Sequence, residues 1–286
     1  MSLTIKHPGF YSSLQDTGRY DGMSYGIPIS GAMDLNLFAY ANMVLDNENT
    51  GACLEFYQQG LQVEFQESTF VCVAAIDAIV SLNGSEIQIN SILKVKAGDV
   101  LKVLELTKGS WGYLAVKNGF ISTLFFGSQS FYKALTSQQL KKDDELSFEP
   151  FIEMSGGKPP QFDLNYYDTH ILEVFRGPDF HKLSQTLQYQ LFNAEFSLST
   201  SLNRMAYQIQ ETLENELEEI ITGPVLPGTI QYTSGGKMII LMRDAQVTGG
   251  YPRILQLSEQ AINQLAQMRA KTNLGFKLIE INSETI

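Results

Sequence analysis

The sequence predicts a mostly-β protein with a few short covering helices. Three observations predict it. Apolar and polar residues alternate over stretches such as ILKVKAGDVLKVLEL (92–106), the period of a strand with one buried face. Turn signals interrupt these stretches at Asn83-Gly84, Ala97-Gly98-Asp99, Asn118-Gly119 and Ser234-Gly235-Gly236. Segments with a helical period are short and few.

In chain order, the first helix is expected over 34–47, where Asp34 is placed as N-cap and Phe38, Ala41 and Leu45 share a face. The stretch 69–89 reads as a hairpin-rich strand pair closed by Asn83-Gly84, a strong type I′ signal. Residues 92–106 alternate around the turn at 97–99, and 111–120 form a strand ending at Asn118-Gly119. Residues 147–168 mix prolines, glycines and polar residues without a sustained period. They are read as the boundary between two lobes, 1–150 and 151–286, which agrees with the usual domain size for a chain of 286 residues. In the second lobe, 170–177, 195–210 and 228–244 have strand character. A helix is expected over 179–192 from Phe180, Leu183 and Leu187, and another after Ser258, burying Ile262 and Leu265.

Composition removes several function classes. With 31 acidic and 20 basic residues the formal net charge is −11, so no basic footprint exists for nucleic acid or an anionic membrane. The acidic run 211–220 is read as a solvated face. No apolar run approaches the ~20 residues that span a bilayer, and no apolar leader opens the chain. The expectation is a soluble, cytoplasmic protein, with Cys53 and Cys72 reduced and partly buried. His7, His170 and His181 lack zinc-site spacing, so no metal is expected. There is no G-x-S-x-G elbow, and SGGK at 155–158 and 234–237 lacks the rest of a P-loop. No Met-Lys-Met is present to carry biotin.

Glycines and polar groups gather in two places. The stretch QDTGRYDGMSYGIPISGAMD (15–34) holds glycines at 18, 22, 26 and 31, with Asp16 and Arg19 close together. It is either a capped loop tied by an internal Asp16–Arg19 pair, or a loop presenting an acid and a fork-shaped donor to a carboxylate or amide. The stretch DAQVTGGYPR (244–253) follows the apolar run KMIILMRD. It is either a β-bulge with a glycine turn or a ligand-facing loop on a rigid sheet.

These two stretches fall in one order with GACLEF (51–56), YLAVKNG (113–119), FGSQS (126–130), FRGP (175–178), NRMAY (203–207) and LPGTIQ (226–231). From about Lys6 to Phe276 the chain resembles the biotin-dependent carboxyltransferase, or allophanate hydrolase subunit 2, family. That family includes the C subunit of bacterial ATP-dependent 5-oxoprolinase, also described as an antagonist of a sporulation kinase inhibitor. The resemblance implies two β-barrel lobes, cyclophilin-like, with a groove lined by these loops. It implies a component acting with 5-oxoprolinase subunits A and B to open the lactam of 5-oxoproline to glutamate, with ATP used by the assembled complex and no ATP site located on this chain.

The alternatives are the carboxyltransferase component of a biotin-dependent urea or amide carboxylase, with biotin on another chain, or a non-enzymatic regulator that binds a histidine-kinase inhibitor. Carried over by motif, the catalytic candidates are Asp16, Arg19, Arg204 and Asp244. The substrate-binding candidates are Gln15, Gly18, Gly26, Gly31, Asp34, Asn42, Glu55, Gln231, Thr248, Gly249, Gly250, Tyr251 and Pro252. Arg19 or Arg204 would hold a carboxylate or phosphate, Asp16 or Asp244 would orient that arginine or move a proton, and Gly249–Gly250 would offer N–H donors. The chain departs from the family pattern at Gln129, Ala206 and Gln208, where arginine, glycine and arginine are usual, and at Asn118 and Arg253. It is also shortened after Ser130.

Overall fold

The computed structural model describes residues 1–133, 135–136, 139–154, 160–215 and 217–280. The SGGK copy at 155–158 lies outside the described residues. Contacts group the chain into two compact units. Unit 1 comprises Met1–Asp21 and Ser30–Leu164, and unit 2 comprises Gly22–Ile29 and the chain from Asn165 onward. Among the described residues, no helix is long and apolar enough to cross a membrane.

Unit 1 contains two antiparallel sheets. The seven-stranded sheet runs Phe120–Ile121, Glu145–Phe148, Ser2–Pro8, Leu61–Phe65, Val100–Lys108, Asp77–Leu82, Ser85–Glu86. The five-stranded sheet runs Tyr11–Gln15, Cys53–Tyr57, Trp111–Val116, Thr69–Ala74, Leu93–Val95. Alternate residues of both sheets meet in one core, with Ile5, Val63, Phe65 and Val103 on one side and Leu54, Phe56, Val73 and Leu114 on the other. Helix α1 (Leu35–Val44) covers the second face of the five-stranded sheet. There Leu37, Phe38, Ala41 and Val44 pack on Cys53, Cys72, Ala74, Tyr113 and Ala115. Trp111–Val116 is therefore buried along its whole length.

The local signals hold where they depend on neighbouring residues. Asp34 caps α1 by accepting from the N–H groups of Asn36 and Leu37. At the other end, Lys117 Nζ donates to the carbonyls of Leu45 and Asp46, at 3.0 and 2.6 Å, placing a cation where the helix dipole is negative. Asn83 and Gly84 adopt φ of 52° and 84°, as a type I′ turn requires. The hairpin it closes joins Asp77–Leu82 to Ser85–Glu86. Thr69–Ala74, expected to pair within the same stretch, belongs to the other sheet. The turn at 97–99 is likewise a corner from Leu93–Val95 in one sheet to Val100–Lys108 in the other. Both cysteines are free and fully buried rather than partly so. Burial pushes the Cys72 thiol up to about 12.

Unit 2 is a closed barrel in the order Ile171–Arg176, Arg253–Leu257, Thr229–Tyr232, Lys237–Leu241, Ala206–Thr212, Phe196–Leu202, Asn273–Leu278. The last strand returns to the first in a parallel pairing, and closure leaves no free edge in this sheet. Leu172, Val174, Tyr207, Ile209, Ile230, Tyr232, Met238 and Ile240 are buried at alternate positions of its strands. The expectation of a barrel is thus met in unit 2, whereas the strands of unit 1 form two sheets. The chain is mostly β, as expected.

The single helix expected over 179–192 is broken. A 3-10 turn occupies Phe180–Lys182, Leu183 is extended, and α2 (Gln185–Asn193) begins after Ser184, whose Oγ accepts from Leu187 N–H. Serine caps better than it sits inside a helix. The apolar spacing is kept across the break because Phe180, Leu183 and Leu187 are all buried. Helix α3 (Glu259–Gln267) starts after Ser258, which caps Ala261 N–H, and buries Ile262 and Leu265 as expected.

Candidate functional site

In unit 1 the strand Tyr11–Gln15 ends at Asp16, and the segment 128–130 is bound against it. Asp16 Oδ1 accepts from Gly18 N–H, Ser128 Oγ–H and Ser130 Oγ–H at 2.8, 2.6 and 2.5 Å. Asp16 Oδ2 accepts from Gln129 N–H at 2.6 Å. In return, Asp16 N–H donates to Ser130 Oγ at 2.9 Å. Arg19 is fully buried, and its Nη2 donates to the carbonyl of Ser130. Both candidate catalytic residues of this motif therefore grip the same three-residue segment. Gly31 closes the base of the loop with φ 88°. A side chain there would sit 3.0 Å from Gly18 N and Thr17 C, while Ala32 N–H donates to Asp16 O at 2.9 Å.

The other unit 1 candidates are also fully buried polar ties. Gln15 Nε2 donates to Ser13 Oγ at 2.9 Å. Met33 N–H and Tyr113 O–H both donate to Glu55 Oε2, at 2.7 and 3.0 Å, and Asp34 N–H donates to Tyr113 Oη at 2.8 Å. Burial, followed by the charges of Glu55 and Asp34, pushes the Tyr113 phenol well above its ordinary value. Asn42 Nδ2 donates to Gly51 O, and its Oδ1 accepts from Asn47 Nδ2. The chain thus joins α1 to the strand Cys53–Tyr57 through Asp34, Asn42 and Glu55.

Gly26 falls in unit 2, where its N–H donates to Met23 O. Arg204 and Asp244 also lie in unit 2 and form a bidentate pair. Nε donates to Oδ2 at 2.8 Å and Nη2 to Oδ1 at 3.0 Å, while Asp244 N–H donates to Arg204 O at 2.8 Å. The two side chains are only 7% and 14% exposed, so the fork is held in one orientation.

The glycine loop pairs as a short ribbon, Thr248–Gly249 against Gly223–Pro224. Under it lies Gln231, 2% exposed, whose Nε2 has no hydrogen-bond partner. A side chain at position 249 would stand 2.2 Å from that nitrogen. Gly250 O accepts from Ile220 N–H and Pro252 O from Tyr232 N–H. Tyr251 is half-buried between them.

The loop's exit is fixed by a pair that sequence reasoning missed. Asp179 Oδ2 accepts from Arg253 N–H and Nε at 3.0 and 3.2 Å, its Oδ1 accepts from Lys182 Nζ at 2.7 Å, and Arg253 Nη1 donates to Pro224 O at 3.1 Å. The available signal was Asp179 directly after FRGP, and in unit 1 the two serines of FGSQS. Burial alone would raise the Asp179 carboxyl; hydrogen bonds from Lys182 and from the backbone and guanidinium of Arg253 outweigh it and hold the group below its ordinary 3.8. A depressed carboxyl contributes stability that is complete above its unfolded pKa and is lost as pH falls through the lower folded one. Asp179→Asn is therefore expected to flatten the acid limb of unit 2 unfolding below about pH 4, measured by thermal melts across pH. An unchanged acid limb would count against this role.

Gly177 allows the crossing beside this pair. A Cβ there would lie 2.3 Å from the carbonyl oxygen of Arg253, a backbone atom that cannot swing away. Gly177→Ala is expected to destabilise unit 2 by about 2–3 kcal/mol, read as a lower denaturation midpoint; an unshifted midpoint would remove the constraint.

A seven-stranded barrel and a two-sheet unit, each with a buried arginine at a glycine-bearing motif, define a two-unit β protein whose polar residues converge on loop hubs. The family model for the carboxyltransferase domain, subdomains A and B, matches residues 25–278, and the chain belongs to that family. It is 29% identical to the C subunit of 5-oxoprolinase from Escherichia coli strain K12, over 93% of this chain and 87% of that protein. It is 32% identical to urea amidolyase of Lachancea kluyveri over 127 residues, which are 44% of this chain and 7% of that one. The crystal structure of TTHA0988 shares the fold, with a TM-score of 0.86 at 24% identity over 96% of this chain. This chain spans 56% of that longer one.

Proposed function

We propose that the chain is the C subunit of a cytoplasmic, ATP-dependent 5-oxoprolinase and that it acts with subunits A and B to open 5-oxoproline to glutamate. The observation that carries this reading is the extent of the match. Similarity to the E. coli C subunit runs over nearly all of both chains, whereas urea amidolyase matches under half of this one. The substrate is a small lactam bearing a carboxylate. Asp244 positions Arg204, and the guanidinium so oriented holds that carboxylate. Gln231 Nε2, a buried donor without a partner beneath Gly249, is the group available to the lactam oxygen, which gains negative charge as the amide carbon is attacked. Asp16 and Arg19 are positioning residues that hold 128–130. ATP is used by the assembled complex.

The family description and the urea amidolyase match favour a second reading, the carboxyltransferase component of a biotin-dependent carboxylase. Biotin would then be carried by another chain. Affinity purification of the full chain mixed with subunits A and B separates the two. The first reading expects co-elution with the B subunit and a complex whose glutamate yield avidin leaves unchanged. Recovery of this chain on streptavidin with a biotinylated partner, and inhibition by avidin, would establish the second and overturn the first.

A further inference from the structure

The segment gripped by Asp16 also walls a cavity of about 260 Å3 in unit 1. Its apolar surface comes from Leu14, Phe125, Phe131, Leu140 and Leu146, and its polar surface from Ser122, Thr123, Gln129 and Thr136. None of the described lining residues is ionisable. Ser122 and Thr123 are exposed and mark the mouth.

The polar groups are not equivalent. Thr136 Oγ1 accepts from Tyr132 N–H and donates to Tyr132 O, so it closes its own turn. Gln129 is fixed at both ends: Asp16 holds its backbone N–H, and its Oε1 accepts from Ser122 N–H at 2.6 Å. That second bond sets the orientation of the amide. Its oxygen is engaged, and the NH2 end is what a guest would meet. A cavity without a counter-ion rejects a charged guest, which would lose hydration without compensation. Leucine and phenylalanine walls favour an apolar body, and a lone amide donor favours a carbonyl acceptor. At about 30 Å3 per water the space equals roughly nine waters, enough for a guest of about ten heavy atoms.

From this we infer that the cavity at Gln129 is a binding site for a small neutral molecule with an apolar body and one carbonyl group, of the amide or ester class. This inference does not rest on the 5-oxoprolinase reading. The test titrates the full chain with benzamide, and in parallel with benzoate and toluene, following protein methyl resonances by NMR. Benzamide is expected to saturate and to bind at least ~5-fold more tightly than either comparison, the factor of about one hydrogen bond. Gln129→Leu is expected to weaken benzamide to the level of toluene. Thr123→Trp, which fills the exposed mouth without touching the core, is expected to abolish saturation. Melting curves of both variants check that they fold. Failure of benzamide to saturate, equal binding of benzoate, or undiminished binding after either substitution overturns the inference.

Discussion

Asp16→Ala is expected to lower the stability of unit 1 by about 4 kcal/mol, a fall in Tm of roughly 8–16 °C at ~2–4 °C per kcal/mol for a domain of this size. The carboxylate receives four hydrogen bonds, from Gly18 N–H, Ser128 and Ser130 hydroxyls and Gln129 N–H. Hydrogen bonds to an ionised acceptor contribute ~1.5–3 kcal/mol each, and donors left buried without one keep their full desolvation cost. The terms are not additive because all four donors serve one group, which is why the expected loss is below their sum. Asp16→Asn refines the test. It keeps one acceptor oxygen but turns an NH2 towards donors, so it should recover only part of the loss. A melting temperature within about 2 °C of the parent for Asp16→Ala would show that the segment 128–130 is held by something else.

Arg204→Met is expected to lower kcat/KM for 5-oxoproline in the assembled complex by about 100-fold or more. Two charge-assisted hydrogen bonds to a substrate carboxylate supply ~1.5–2 kcal/mol each, and ~1.4 kcal/mol is a factor of ten. Arg204→Lys should be nearly as damaging, because an ammonium cannot pair with Asp244 through a fork and face the substrate in the same orientation. Its effect should fall mainly on KM, since a contact made equally in ground and transition states is uniform binding. Asp244→Asn leaves a buried guanidinium with a neutral partner. It should lower stability and raise KM together. Steady-state kinetics with a melting curve for each variant separates these outcomes, and parental kcat/KM in Arg204→Lys would remove the arginine from substrate binding.

What was legible in the sequence was local. The caps at Asp34 and Ser258 and the Asn83-Gly84 turn depend on residues within a few positions, and each forms as expected. Sheet membership did not follow from the alternating pattern. Period two tells which side chains face a core, but not whether the next strand stays in the same sheet, and the chain changes sheets between Ala74 and Asp77 and again between Val95 and Val100. The helix over 179–192 was misread because Phe180, Leu183 and Leu187 keep helical spacing across a break made by Ser184.

The site shows the same division. Motif resemblance selected Asp16, Arg204 and Asp244 singly. Their pairings join residues far apart in the chain: Asp16 meets Ser130 across 114 positions and Arg204 meets Asp244 across 40. Asp179 and Arg253, 74 positions apart, were not selected as site residues at all. A carboxylate that fixes a loop and one that moves protons look alike until their donors are counted.

Turnover is the most direct test. The purified chain, subunits A and B, ATP and 5-oxoproline are combined, and glutamate is followed with each component omitted in turn. The account predicts glutamate only when this chain is present, and a rate at least ~100-fold lower when Arg204→Met replaces it. Glutamate formed at the same rate without this chain, or with the Arg204→Met variant in its place, would contradict it.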